Sequence, residues 1–119
     1  MSSINRKVID ELRALEAAGS PGLVRELIET FFKEADAQVA QLTAALAGRN
    51  GPVVQKISQA LKGSSANLGA QALSRMCAEL HERIRSSDWS KAAELLSRLE
   101  SELRDVRSEL EAEKDGRRS

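Results

Sequence analysis

Residues 52–70, PVVQKISQALKGSSANLGA, are the most informative stretch of the chain. Asn50 can cap a helix here, and Gly51-Pro52 fits its first turn. With Gln59 set at zero and steps of about 100°, Ile57, Leu61, Ser64 and Leu68 fall between about 140° and 200° and face the core. Lys62 falls near about −60° and Gly63 near about +40°, so both flank Gln59 on the outward face. Gln55 and Ala66 lie close by, with Ser58 at the edge. A glycine inside a helix costs about 1 kcal/mol relative to alanine, and on a solvated face no packing offsets that cost. One reason to keep it is that it lets another molecule approach the helix backbone; drift or a close helix–helix contact would be a plainer one.

Outward from this stretch the punctuation is sparse. Gly19-Ser20-Pro21-Gly22, Gly48-Arg49-Asn50-Gly51-Pro52, Leu68-Gly69 and Ser86-Ser87-Asp88 divide the chain into five segments rich in helix-forming Ala, Leu, Glu, Lys and Arg. The first, about 4–18, places Ile4, Val8, Leu12 and Leu15 on one stripe. Ser20 is the expected N-cap of the second, with Pro21 at its first position. That helix runs to Ala47 with Val24, Ile28, Phe31, Ala35, Val39, Leu42 and Leu46 inward. The fourth carries Leu73, Met76, Cys77, Leu80 and Ile84 at spacings of three and four. Asp88 is a good cap for the fifth, where Trp89, Ala92, Leu96, Leu99, Leu103, Val106 and Leu110 keep a heptad pattern.

Long amphipathic helices with short connections predict an all-α fold, an antiparallel four-helix bundle with an additional short N-terminal helix. The whole of 1–119 reads as one domain, its core about 4–112, with a charged tail from Glu111 that is expected to fray over 113–119. The heptad of the last helix also fits an alternative, a structural protein that self-associates through it. Intramolecular packing is the simpler expectation, because the second helix offers an equally long face, and it implies a monomer.

Composition excludes several classes. The chain has 119 residues, 41% hydrophobic and 30% charged, which is enough for one core and too apolar for disorder. Its 18 acidic and 18 basic residues balance, which argues against a nucleic-acid binder that works by neutralising phosphates. Phe31, Phe32 and Trp89 are the only aromatics, too few for base stacking. A lone cysteine, Cys77, cannot form an internal disulfide, no apolar run is long enough to span a bilayer, and the N-terminus lacks a signal-peptide pattern. A cytoplasmic protein, or a domain of a larger cytoplasmic chain, is the expectation.

The stretch Gln59-Ala-Leu-Lys-Gly-Ser-Ser-Ala-Asn-Leu-Gly-Ala70 resembles the signature of histidine-containing phosphotransfer (HPt) domains of bacterial multistep phosphorelays, His-x-Leu-Lys-Gly-Ser followed by small residues and Leu-Gly-Ala. The resemblance extends to the helix layout over about 4–112 and departs at one motif position. Where the family carries its phosphoacceptor histidine, this chain has Gln59. An imidazole nitrogen is a competent nucleophile; a primary amide is not, since its nitrogen lone pair is delocalised into the carbonyl. The resemblance implies a module that docks on the receiver domain of a response regulator or hybrid histidine kinase, through Gln55, Ser58, Gln59, Lys62, Gly63 and Ala66. It implies that the Lys62 ammonium neutralises phosphate charge, that Gly63 leaves room for the receiver's loops, and that any Mg²⁺ belongs to the partner, with no cofactor of the chain's own. Two accounts fit an intact frame around a lost nucleophile. Either Gln59 is a substitution for a natural histidine that blocks phosphorylation, or Gln59 is native in a module that binds without exchanging phosphate.

The remaining chemistry-bearing residues carry weaker patterns. His81 follows Cys77 by four residues and shares its helix face. A metal would need Glu79, Glu82 or Glu102 as well, and a Cys–His nucleophile would need an oxyanion hole that a continuous helix does not offer. Cys77 reads instead as a small core residue and His81 as the edge of an apolar stripe.

Overall fold

The computed structural model describes residues 3–114, all of whose regular structure is helical. The helices are α1 (Arg6–Ala17), α2 (Leu23–Ala47), α3 (Gly51–Asn67), α4 (Gln71–Arg85) and α5 (Trp89–Lys114). Helices α2 to α5 close an antiparallel bundle in which α2 and α4 each neighbour both α3 and α5, while α1 packs against α2. The expected four-helix bundle with a short extra N-terminal helix is therefore the observed fold.

Local chemistry explains most helix ends. The Asn50 side chain accepts the Val53 N–H at 3.4 Å, and that of Asp88 accepts the Lys91 N–H at 3.2 Å, both as expected. The start of α2 differs. Ser20 is not its cap: its carbonyl accepts the Leu23 N–H at 3.1 Å, and Gly22 takes φ 79°, which a glycine adopts without strain. The helix starts three residues after Ser20, and its free Val24 N–H is taken by the Glu16 carboxylate of α1 at 3.1 Å.

Helix α1 is also rotated from its expected stripe. Ile4 is buried as expected and Ile9, off that stripe, is fully buried; Val8 and Leu12 are half-buried, and Leu15 stays exposed. On the side of Ile9 lie Arg6, Arg13 and Glu16, spaced by three and four; Arg13 and Glu16 are half-buried and Arg6 is exposed. All three are charged, and each reaches a partner in another element. Arg6 pairs with both carboxylate oxygens of Glu113 at 2.5 and 3.0 Å. Arg13 bonds the Glu113 backbone carbonyl and lies 3.5 Å from its carboxylate. The Arg6 hydrogen bond holds the buried Glu113 carboxyl below its ordinary value, against the opposing effect of burial. The expected fraying from 113 is thus corrected in part, since the helix continues to Lys114, whose ammonium lies 3.7 Å from Glu29. Residues 115–119 lie outside the described ones.

The heptad of α5 is used inside the bundle. Ala92, Leu96, Leu99, Leu103, Val106 and Leu110 are all buried, as is Leu95, and Glu113 occupies the next position of the same row. Leu99 and Leu103, on which self-association would depend, face the chain's own core. No helix among the described residues is long and apolar enough to cross a membrane.

Candidate functional site

The buried side of α3 comprises Val54, Ile57, Ser58, Leu61 and Ser65, with Leu68 following at its C-cap. This arc is centred about 30–40° further round than hydropathy alone suggests. Ser64, expected inward, is half-buried and donates to the Leu61 carbonyl at 3.2 Å. Ser58, expected at the edge of the docking face, is fully buried, with its hydroxyl donating to the Val54 carbonyl at 2.7 Å. It cannot touch a visitor. The cause is the pairing of α3 with α4: two serines are small enough to let α4 close over that side of α3. The Ser74 hydroxyl of α4 donates to the Lys62 carbonyl at 3.0 Å and ties the two helices there.

The opposite side of α3 is open. Gln59, Lys62, Gly63 and Ala66 are exposed, and Gln55 is half-buried. A Cβ added at Gly63 would meet no heavy atom within 4 Å, so this glycine is not required by any contact inside the protein. Among the described residues neither the Gln59 amide nor the Lys62 ammonium has a side-chain partner. Of the six proposed docking residues, five therefore share one accessible face and Ser58 does not.

Two grooves border this face along the seam between α2 and α3. One, about 610 Å³, runs from Gln41 and Ala44 to Val53 and Lys56. The other, about 410 Å³, has Leu27 and Phe31 in its wall, Ser64 and Asn67 on the α3 side, and Glu26 and Glu34 on its rim. The first brings in a residue that sequence reasoning missed. Lys56 precedes Gln59 by three positions, as Lys62 follows it by three, so exposed cations stand one turn to either side of the amide. The spacing is visible in the sequence, but Lys56 lies before the motif, where nothing singles it out from other surface lysines.

Cys77 and His81 do not form a second site. Cys77 is fully buried, and burial pushes its thiol up to about 12, which leaves no thiolate for nucleophilic chemistry. His81 is half-buried, and no group of three or more His, Cys, Asp or Glu side chains is gathered for a metal among the described residues.

Comparison with known proteins agrees with this architecture. The Hpt domain family matches residues 26–109, well over half of the chain. Histidine-containing phosphotransfer protein 2 of Arabidopsis thaliana is 23% identical over 104 residues, which cover 85% of this chain and 67% of that protein. The crystal structure of histidine-containing phosphotransfer protein B (HptB) from Pseudomonas aeruginosa PAO1 superposes with a TM-score of 0.87 at 25% identity, covering 98% of this chain and 97% of that one. The family match over residues 26–109, on a four-helix bundle that superposes on a solved member over most of its length, makes this chain a member of the Hpt domain family, a phosphorelay module.

Proposed function

We propose that this protein docks on receiver domains through the outward face of α3 and, with Gln59 at its centre, accepts no phosphoryl group. The face comprises Gln55, Gln59, Lys62, Gly63 and Ala66, all outside the core. The observation that carries the reading is the placement of an exposed amide, with no side-chain partner among the described residues, beside a free ammonium and a glycine open to solvent. In a phosphotransfer member of the family an imidazole stands at this position, attacks phosphorus and holds the group as a phosphoramidate. The amide nitrogen of Gln59 has no available lone pair, so the same encounter ends in binding alone. Mg²⁺ serves the partner's aspartate and has no site on this chain in this reading, and the protein acts as a monomer because its α5 heptad is spent internally.

The test is phosphoryl transfer from a panel of purified receiver domains, phosphorylated beforehand with acetyl phosphate. The expected result is no label on the protein and acid-labile label on Gln59→His. Stoichiometric label on the unaltered chain would refute the inertness of Gln59. A folded Gln59→His variant that no receiver labels would remove the docking reading.

A further inference from the structure

The charges of this protein are not mixed evenly. Residues 37–78 contain none of the 18 acidic residues and four basic ones, Arg49, Lys56, Lys62 and Arg75. These residues form the second half of α2, all of α3 and the first half of α4, three consecutive neighbours in the bundle. The outward face of α3 therefore carries no carboxylate of its own, though the first half of α2 brings Glu26 and Glu34 to the groove beside it. Of the four cations, Arg49 lies over the Trp89 ring at 5.6 Å. Lys56, Lys62 and Arg75 are exposed and have no ion-pair partner among the described residues. The carboxylates nearest along the seam, Glu26 and Glu34, line the groove beside Ser64 and Asn67, and neither pairs with Lys56 or Lys62.

Unpaired cations on either side of a neutral hydrogen-bonding group form a receptor for a concentrated anion. Converting a carboxylate to an acyl phosphate adds about one negative charge and three strong acceptor oxygens. Both changes favour a surface with ammonium groups and an amide N–H₂ to donate. Resting on the docking reading above, we propose that the α3 face reads the phosphorylation state of the receiver domain it binds: it holds the aspartyl-phosphate form more tightly than the free aspartate form. Lys56 and Lys62 supply the attraction and the Gln59 amide donates to a phosphoryl oxygen. No bond is made or broken at phosphorus, so the bound receiver keeps its phosphate.

The experiment titrates the protein against the same receiver panel, each with Mg²⁺ alone and with Mg²⁺ and beryllium fluoride, a stable mimic of aspartyl phosphate. The expected result is affinity about tenfold higher for the beryllium fluoride form at low salt, a preference that shrinks as salt screens the lysines. Lys56→Gln with Lys62→Gln should bring the two forms within about threefold of each other, and because both side chains are exposed the fold should be unchanged. Equal affinity for both forms, or a preference that survives the double substitution, overturns the proposal while the docking reading stands. Faster loss of phosphate from a receiver saturated with the protein also overturns it. If no receiver binds in either form, the docking reading fails and this inference fails with it.

Discussion

Gly63→Ala should make the protein more stable and a poorer partner. The residue sits inside α3, in helical conformation, and its added Cβ would meet nothing within 4 Å. No steric penalty therefore opposes the gain from replacing glycine by alanine in a helix interior, which is about 1 kcal/mol. In a domain of this size that corresponds to a rise in Tm of about 4 °C. Urea denaturation followed by far-ultraviolet circular dichroism should show a later midpoint with an unchanged slope, since the surface exposed on unfolding is the same. The same methyl group stands beside Gln59 in the path of a docking receiver. Affinity for a receiver should fall about tenfold, the equivalent of about 1.4 kcal/mol. Opposite signs in the two measurements are the distinctive outcome. A destabilised variant would mean that Gly63 serves a contact within the bundle. A stabilised variant that binds as well as the original would mean that the glycine leaves no room for a visitor.

Other glycines and the α1 clasp give contrasting expectations. Gly69 has φ 81°, and an added Cβ would lie 3.0 Å from Val8 Cβ and 3.1 Å from the Asn5 carbonyl oxygen, so Gly69→Ala should cost about 2 kcal/mol or more; a midpoint within experimental error of the original would disprove the tight approach of α1 to the α3–α4 turn. Glu113→Gln should cost about 1–2 kcal/mol at pH 7, less than a fully buried pair would, because the Arg6 side chain is 43% exposed. Since the Arg6 hydrogen bond lowers the folded-state value of Glu113, its stabilisation is fully present above the ordinary value of 4.5 and is lost as pH falls through the lower folded value. The gap between the original and Glu113→Gln should therefore close in acid, and a gap that is constant with pH would refute the clasp.

The fold was largely legible because most of its determinants are local. The apolar rows of α2, α4 and α5 repeat every three or four residues, and burial follows them from Val24 to Leu42, from Leu73 to Ile84 and from Ala92 to Leu110. Asn50 and Asp88 act on N–H groups three residues away, which a sequence displays directly. The exposed side of Gln59, Lys62 and Gly63 followed from the same periodicity.

What the sequence by itself determined was thus the set of helices, their inward rows and the absence of a nucleophile at residue 59. The tertiary structure decided how each helix is turned where polar groups share its buried side. Arg6, Arg13 and Glu16 of α1 turn toward the bundle because Glu113 and the Val24 N–H, nearly a whole chain and eight residues away, receive them. Ser58 is lost to the docking face because α4 covers it, while Lys56 joins that face because nothing does. Hydropathy assigns a charged or hydroxyl side chain to solvent. The arrangement of distant elements decides otherwise: it gives buried Glu113 its guanidinium partner, and it covers Ser58, whose hydroxyl is already satisfied by the Val54 carbonyl one turn back.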